Sequence, residues 1–114
     1  MITINILGTR YEFCERTLAE DEYLKNCDGY CDKTSKTIVV RTDLASDLND
    51  VEVYRKKVIR HEIIHAFLNE SGLVENWEHK QWGQDETFID WVAIQFPKIL
   101  AVFQELGVFI NESI

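Results

Sequence analysis

Hydrophobic and polar positions alternate through the first third of the chain. Ile2, Ile4 and Ile6 are separated by Thr3 and Asn5, and after "LGTR" the alternation resumes with Tyr11 and Phe13. Period-two patterning on either side of a glycine predicts a β-hairpin. The polar stretch "TLAEDEYLKN" has room for a short helical turn. Beyond it, "GYCD" and "TIVVRTD" flank the turn-like "KTSK", which predicts a second hairpin with Ile38 and Val40 on one face.

From about Asp47 the period lengthens. Asp47 and Asp50 both suit a helix N-cap, and "VEVYRKKVIRHEIIHAFLNESG" then runs at helical spacing to Gly72, a natural stop. Between Val58 and Leu68 this helix is apolar on most sides, which predicts burial. The loop "LVENWEHKQWGQ" follows. A second helix begins near Asp85 and continues through "ETFIDWVAIQF". Pro97 removes a backbone donor and should kink that helix or restart it as a new one. Strands first and helices afterwards predict an α+β arrangement, with the helices on one side of a small sheet made of two hairpins.

Length and charge narrow the picture. The chain has 114 residues, the size of one small domain spanning 1–114, and its apolar fraction of 46% is that of a folded globule. A net charge of −8 opposes nucleic acid as the main partner, since phosphate binding needs a basic face. The basic cluster Arg55, Lys56, Lys57 and Arg60 is expected to be the solvated side of the first helix. No apolar run is long enough for a membrane span and no leader pattern opens the chain, so the expected location is cytoplasmic. Cys14, Cys27 and Cys31 make an odd count. "CDGYC" lacks the second pair that a cysteine zinc site of this kind usually has, which favours reduced thiols in a strand and a loop. The sequons at Asn69 and Asn111 carry no meaning without secretion.

The chemistry sits in "VIRHEIIHAFLNESG". On a helix, residues four apart stack on one face, so His61 and His65 can aim two imidazoles at one point, as a tetrahedral zinc requires. Glu62 falls about 100° round the axis, beside such a metal rather than on it, where it can act as general base toward an activated water. A buried carboxylate and two histidines with no ligand would be costly in an apolar helix. A third ligand must come from elsewhere. His79 is the only other histidine. Glu86 and Asp90 are the favoured alternative: they share a face of the second helix, with Glu86 as ligand and Asp90 accepting from a histidine N–H. Ala93 continues that face with a side chain small enough for close helix packing.

His61-Glu62-x-x-His65 followed by Glu86-x-x-x-Asp90 resembles the gluzincin pattern. More closely, "RHEIIHAFLNESGL", "DETFIDWVAIQFPKIL" and the hairpin "GYCD…KTIVVRTDL" are similar to the ImmA/IrrE-like metallo-endopeptidases, especially their short versions from phages and mobile elements of bacteria. The similarity spans about Gly29 to Leu100. Larger members carry a Glu-x-x-Ala-Asn-x-x-Ala pattern where this chain has Glu86-x-x-Ile89-Asp90-x-x-Ala93, so the ligand position matches and the next two depart. The resemblance implies a minimal zincin-like peptidase that holds Zn2+ through His61, His65 and Glu86 and works in a bacterial host cell. Its partner would be a protein or peptide substrate, a regulator among the candidates, added as an extended strand at the sheet edge. The oxyanion donor that such hydrolysis needs is assigned to His79, with Tyr54 and Tyr30 as alternatives. A chain this small has little to wall a cleft, so narrow specificity is expected. The rival expectations are a zinc-bearing regulatory module that does not cut, and a structural domain without metal.

Overall fold

The computed structural model describes residues 1–44, 50–75 and 85–106. The alternating segments form strands β1 (Ile2–Ile6) and β2 (Thr9–Arg16), and the later pair forms β3 (Gly29–Asp32) and β4 (Thr37–Arg41). Both hairpins are antiparallel, and β2 pairs with β4 in parallel to give one mixed sheet in the order β1-β2-β4-β3. The first turn has positive φ at both Leu7 and Gly8, the handedness that matches strand twist in a two-residue hairpin loop. Asn5 Oδ1 accepts from the Gly8 amide at 2.7 Å and closes that turn.

Central position explains the apolar run in β4. Ile38, Val39 and Val40 are all 0% exposed, because each face of the sheet is covered. On one face Ile6, Tyr11, Ile38 and Val40 pack with Val58 and Ala66 of the long helix. On the other, Cys14 and Val39 pack with Leu24 from the 3-10 turn Glu22–Lys25, the helical turn expected in the polar stretch.

Helix α1 (Val51–Ser71) starts at Asp50, whose side chain accepts from the Val53 amide at 3.2 Å. It stops at Gly72, in the left-handed region at φ 85. Its burial is narrower than the sequence pattern suggests: Val58, Glu62, Ala66 and Leu68 are buried, while Phe67 is exposed. Helix α2 (Glu86–Glu105) is capped by Asp85, which accepts from the Thr87 and Phe88 amides at 3.0 and 3.2 Å. This cap fixes where α2 begins, and therefore where Glu86 stands. The helix runs through Pro97 without restarting, so of the two expectations there, a kink or a new helix, the second is excluded.

The basic cluster is also corrected. Only Lys56 is exposed. Arg55 reaches Glu15 and Glu52, Lys57 reaches Asp90, and Arg60 donates to a carbonyl of α2. These cations tie α1 to its neighbours rather than solvate it. The cross-helix pairs Lys57–Asp90, His61–Asp90 and His65–Glu86 advance along α1 as they retreat along α2, so the helices are antiparallel. Among the described residues no helix is long and apolar enough to cross a membrane.

Candidate metal centre

Successive turns of α1 present His61 and His65 on one face, with ring centroids 4.9 Å apart. The first residue of α2 meets both. Glu86 Oε2 lies 2.9 Å from His61 Nε2, and Glu86 Oε1 lies 2.9 Å from His65 Nε2. The three residues form a group that could hold a metal ion, with ligand atoms all within 4.8 Å of one another. Bonds of 2.0–2.1 Å to a tetrahedral zinc put ligand atoms about 3.4 Å apart. The observed 2.9 Å contacts need to open by only about half an ångström, so the donor set fits such an ion. The histidines are mostly buried (16% and 20% exposed side chains), while Glu86 is 65% exposed. The centre is therefore walled on the α1 side and open to solvent beside Glu86.

Asp90, one turn along α2 from Glu86, lies with its Oδ1 3.3 Å from His61 Nδ1. An acceptor there keeps the ring proton on Nδ1 and leaves Nε2 with its lone pair toward the metal position. The same oxygen accepts from Lys57 Nζ at 3.0 Å, and Lys57 also lies 5.0 Å from the Tyr54 ring centroid. Hydrogen bonding from Lys57, then its charge and His61, hold the Asp90 carboxyl below its ordinary value.

Glu62 is the buried polar residue of the core, 7% exposed. Among the described residues nothing hydrogen-bonds to it. Burial pushes its pKa up to about 7, with His61 pulling down and Glu86 pushing up. Burial likewise holds His65 below the usual imidazole value. A divalent cation among these groups would reverse the first effect and draw Glu62 back toward its charged form. The carboxylate has room because β3 opposes it with Gly29: a Cβ there would lie 3.0 Å from both Val39 O and Val58 Cγ1, and 3.4 Å from Glu62 Cγ.

The site opens into a cleft of about 1000 Å³ between α1, α2 and β3. Tyr30 and Tyr54 line it, but both hydroxyls are engaged. Tyr30 donates to Asp21 and Tyr54 donates to Asp28. Burial first and Asp21 second push Tyr30 up to about 12. For Tyr54 the order is reversed, with Asp28 first, to the same value. Neither hydroxyl is a free donor for an oxyanion. His79 lies outside the described residues. Cys27 and Cys31 line the cleft as free thiols. Burial and the charge of Glu62 push Cys31 up to about 11, and burial raises Cys27 also, which opposes thiolate chemistry at neutral pH.

Motif spacing pointed to His61, Glu62, His65, Glu86 and Asp90, and the fold brings all five together. It missed Lys57, Arg60 and Gly29. The first two were hidden in a basic run that reads as surface. Gly29 did carry a signal, since a glycine at the start of a strand marks a close approach. The chain matches no protein-family model, no curated protein and no solved structure.

Proposed function

We propose that the chain is a zinc-dependent peptidase of the zincin type, similar in plan to the short ImmA/IrrE-like metallo-endopeptidases. One observation carries this: each oxygen of a single carboxylate, Glu86, faces a different histidine Nε2 at 2.9 Å, beside a mostly buried Glu62 that lines the same cleft with no hydrogen-bond donor among the described residues. Burial disfavours the charged form of Glu62, and a cation at the site would offset that cost.

Bound at this site, zinc would supply Lewis-acid activation of water and of the scissile carbonyl. The residues do the remainder. Asp90 fixes the tautomer and orientation of His61. Glu62 accepts the proton of the attacking water and returns it to the leaving amine, a role that the lack of a hydrogen-bond donor to it among the described residues leaves open. Strand β3, at the edge of the sheet among the described residues, borders the cleft along Gly29–Asp32 and is suited to pairing with an extended peptide. The sparse walls of the cleft favour one or a few protein substrates over general proteolysis.

Metal analysis of protein purified without chelator, wild type against His65→Ala, tests the centre. Stoichiometric zinc in the first and its loss in the second is the expected result; wild type without zinc removes the proposal. Glu62→Gln then tests the chemistry. It should keep the metal and lose peptide cleavage, and a variant with full biological effect would point instead to a zinc-bearing regulatory module.

A further inference from the structure

Pro97 and Arg60 act on the same atom. In an α-helix the carbonyl of Ala93 accepts the amide hydrogen of residue 97, and Pro97 has none. Ala93 is 0% exposed, so solvent is poorly placed to replace the missing donor. Helix α1 supplies it: Arg60 Nε donates to Ala93 O at 2.6 Å. A charged donor on a carbonyl is among the stronger hydrogen bonds available to a protein. Among the described residues it is the one hydrogen bond from a side chain of α1 to the backbone of α2.

We propose that Arg60 and Pro97 form a register lock that positions Glu86 and Asp90 opposite His61 and His65. Through the interior of α2 the other carbonyls are committed to the helix's own ladder, and the proline releases a single one, at Ala93. Arg60 can therefore engage α2 at one register only. A slip of one turn would move Glu86 by about 5.4 Å, whereas a metal ligand tolerates a few tenths of an ångström. The side-chain pairs across the same seam, Lys57–Asp90 among them, have rotatable side chains at both ends, whereas the Arg60 bond has a fixed backbone acceptor and adjusts at one end alone. Arg60 directly precedes His61, and Ala93 lies one turn beyond Asp90, so the lock grips both ligand-bearing segments. Arg60 is thus a positioning residue. Its consequence for metal binding rests on the zinc reading above, while the lock itself does not.

The test is a double-mutant cycle on the full chain, with zinc affinity measured by competition against a chromophoric chelator well below the unfolding temperature. Arg60→Met should weaken zinc binding roughly tenfold, as loss of an outer partner does. In a Pro97→Ala background residue 97 regains its amide hydrogen, and Arg60→Met should then cost less than about twofold. Lys56→Met, which removes the same charge from the exposed face of α1, should change nothing. The visible spectrum of the cobalt-loaded protein should shift in Arg60→Met, and by as much in Pro97→Ala and in the double variant, which also lack the lock. Equal losses in both backgrounds, or none in either with zinc-binding wild type, overturn the lock. If Arg60→Met does not fold, Pro97→Ala alone decides: weakened zinc binding supports the lock, and wild-type affinity overturns it. If wild type takes up no zinc, the metal reading fails. The same cycle in the thermal midpoint of chelator-treated protein then decides the lock, with additivity as the result against it.

Discussion

Helix α1 carries two glutamates at its buried edge with opposite fates. Glu70 is saturated: Tyr11 Oη donates to it at 2.9 Å, Thr9 Oγ1 at 3.2 Å and Lys36 Nζ at 2.6 Å. Lys36 first, and Tyr11 next, hold its pKa below the ordinary value. Glu62, two turns earlier, has no hydrogen-bond donor among the described residues and is pushed up to about 7 by burial. Glu70 joins the helix end to β2 and to the turn between β3 and β4, which is structural work. Glu62 is held at an energetic cost beside two histidines and a third carboxylate, which is where a proton acceptor belongs. The same residue type on the same helix is a brace in one place and, on the proposed function, a proton acceptor in the other, and the donors around it make the difference.

Exchanging each carboxylate for its amide should separate the two most widely. Glu62→Gln is expected to lower peptide hydrolysis by roughly 10²–10⁴-fold with zinc content unchanged. Glu70→Gln should leave turnover per folded molecule within about twofold and lower the thermal midpoint instead. A Glu70→Gln variant as inactive as Glu62→Gln would erase the contrast. Next in size are the partners on α2. Asp90→Asn should weaken zinc binding by about ten- to a hundredfold, and Glu86→Ala by more, read by chelator competition.

The pH dependence of the metal-free protein gives a smaller effect with a definite sign. Folded Glu62 keeps its proton to about 7, whereas the ordinary value is 4.5. Its burial is tolerated below pH 4.5, and the folded state loses stability as pH rises from there through 7. Glu62→Gln should therefore stabilise metal-free protein at pH 8 by something on the order of 2 kcal/mol and leave it unchanged at pH 4. Glu70 runs the other way: its lowered pKa adds stability above 4.5 that is lost as pH falls further. The smallest change belongs to Lys36→Met, which should shift acid unfolding to slightly higher pH and leave zinc binding alone. Equal pH slopes for the Glu62 and Glu70 variants would show that burial does not distinguish the two groups.

Much of the candidate site was legible because its signals are local. The spacing of His61, Glu62 and His65 is a property of one helix, and so is that of Glu86, Asp90 and Ala93. Asp50, Gly72 and Asp85 mark helix ends through contacts within three residues, and the alternation around Gly8 does the same for a hairpin. Less legible was the use made of charge. Arg55, Lys57 and Arg60 stand in a basic run that looks solvated, yet their partners are Glu15, Asp90 and Ala93, 33 or more residues away. The tyrosines offered as oxyanion donors are likewise decided by distant carboxylates, Asp21 and Asp28.

From the sequence alone came the set of elements and their caps, since periodicity and capping act over a few residues. Only the folded chain settles the parallel pairing of β2 with β4, the antiparallel seam between α1 and α2, and which glutamate is braced and which has no donor among the described residues. The physical reason is that a carboxylate's energy depends on donors within about 3 Å, and those donors come from strands and helices that only the folded chain brings together.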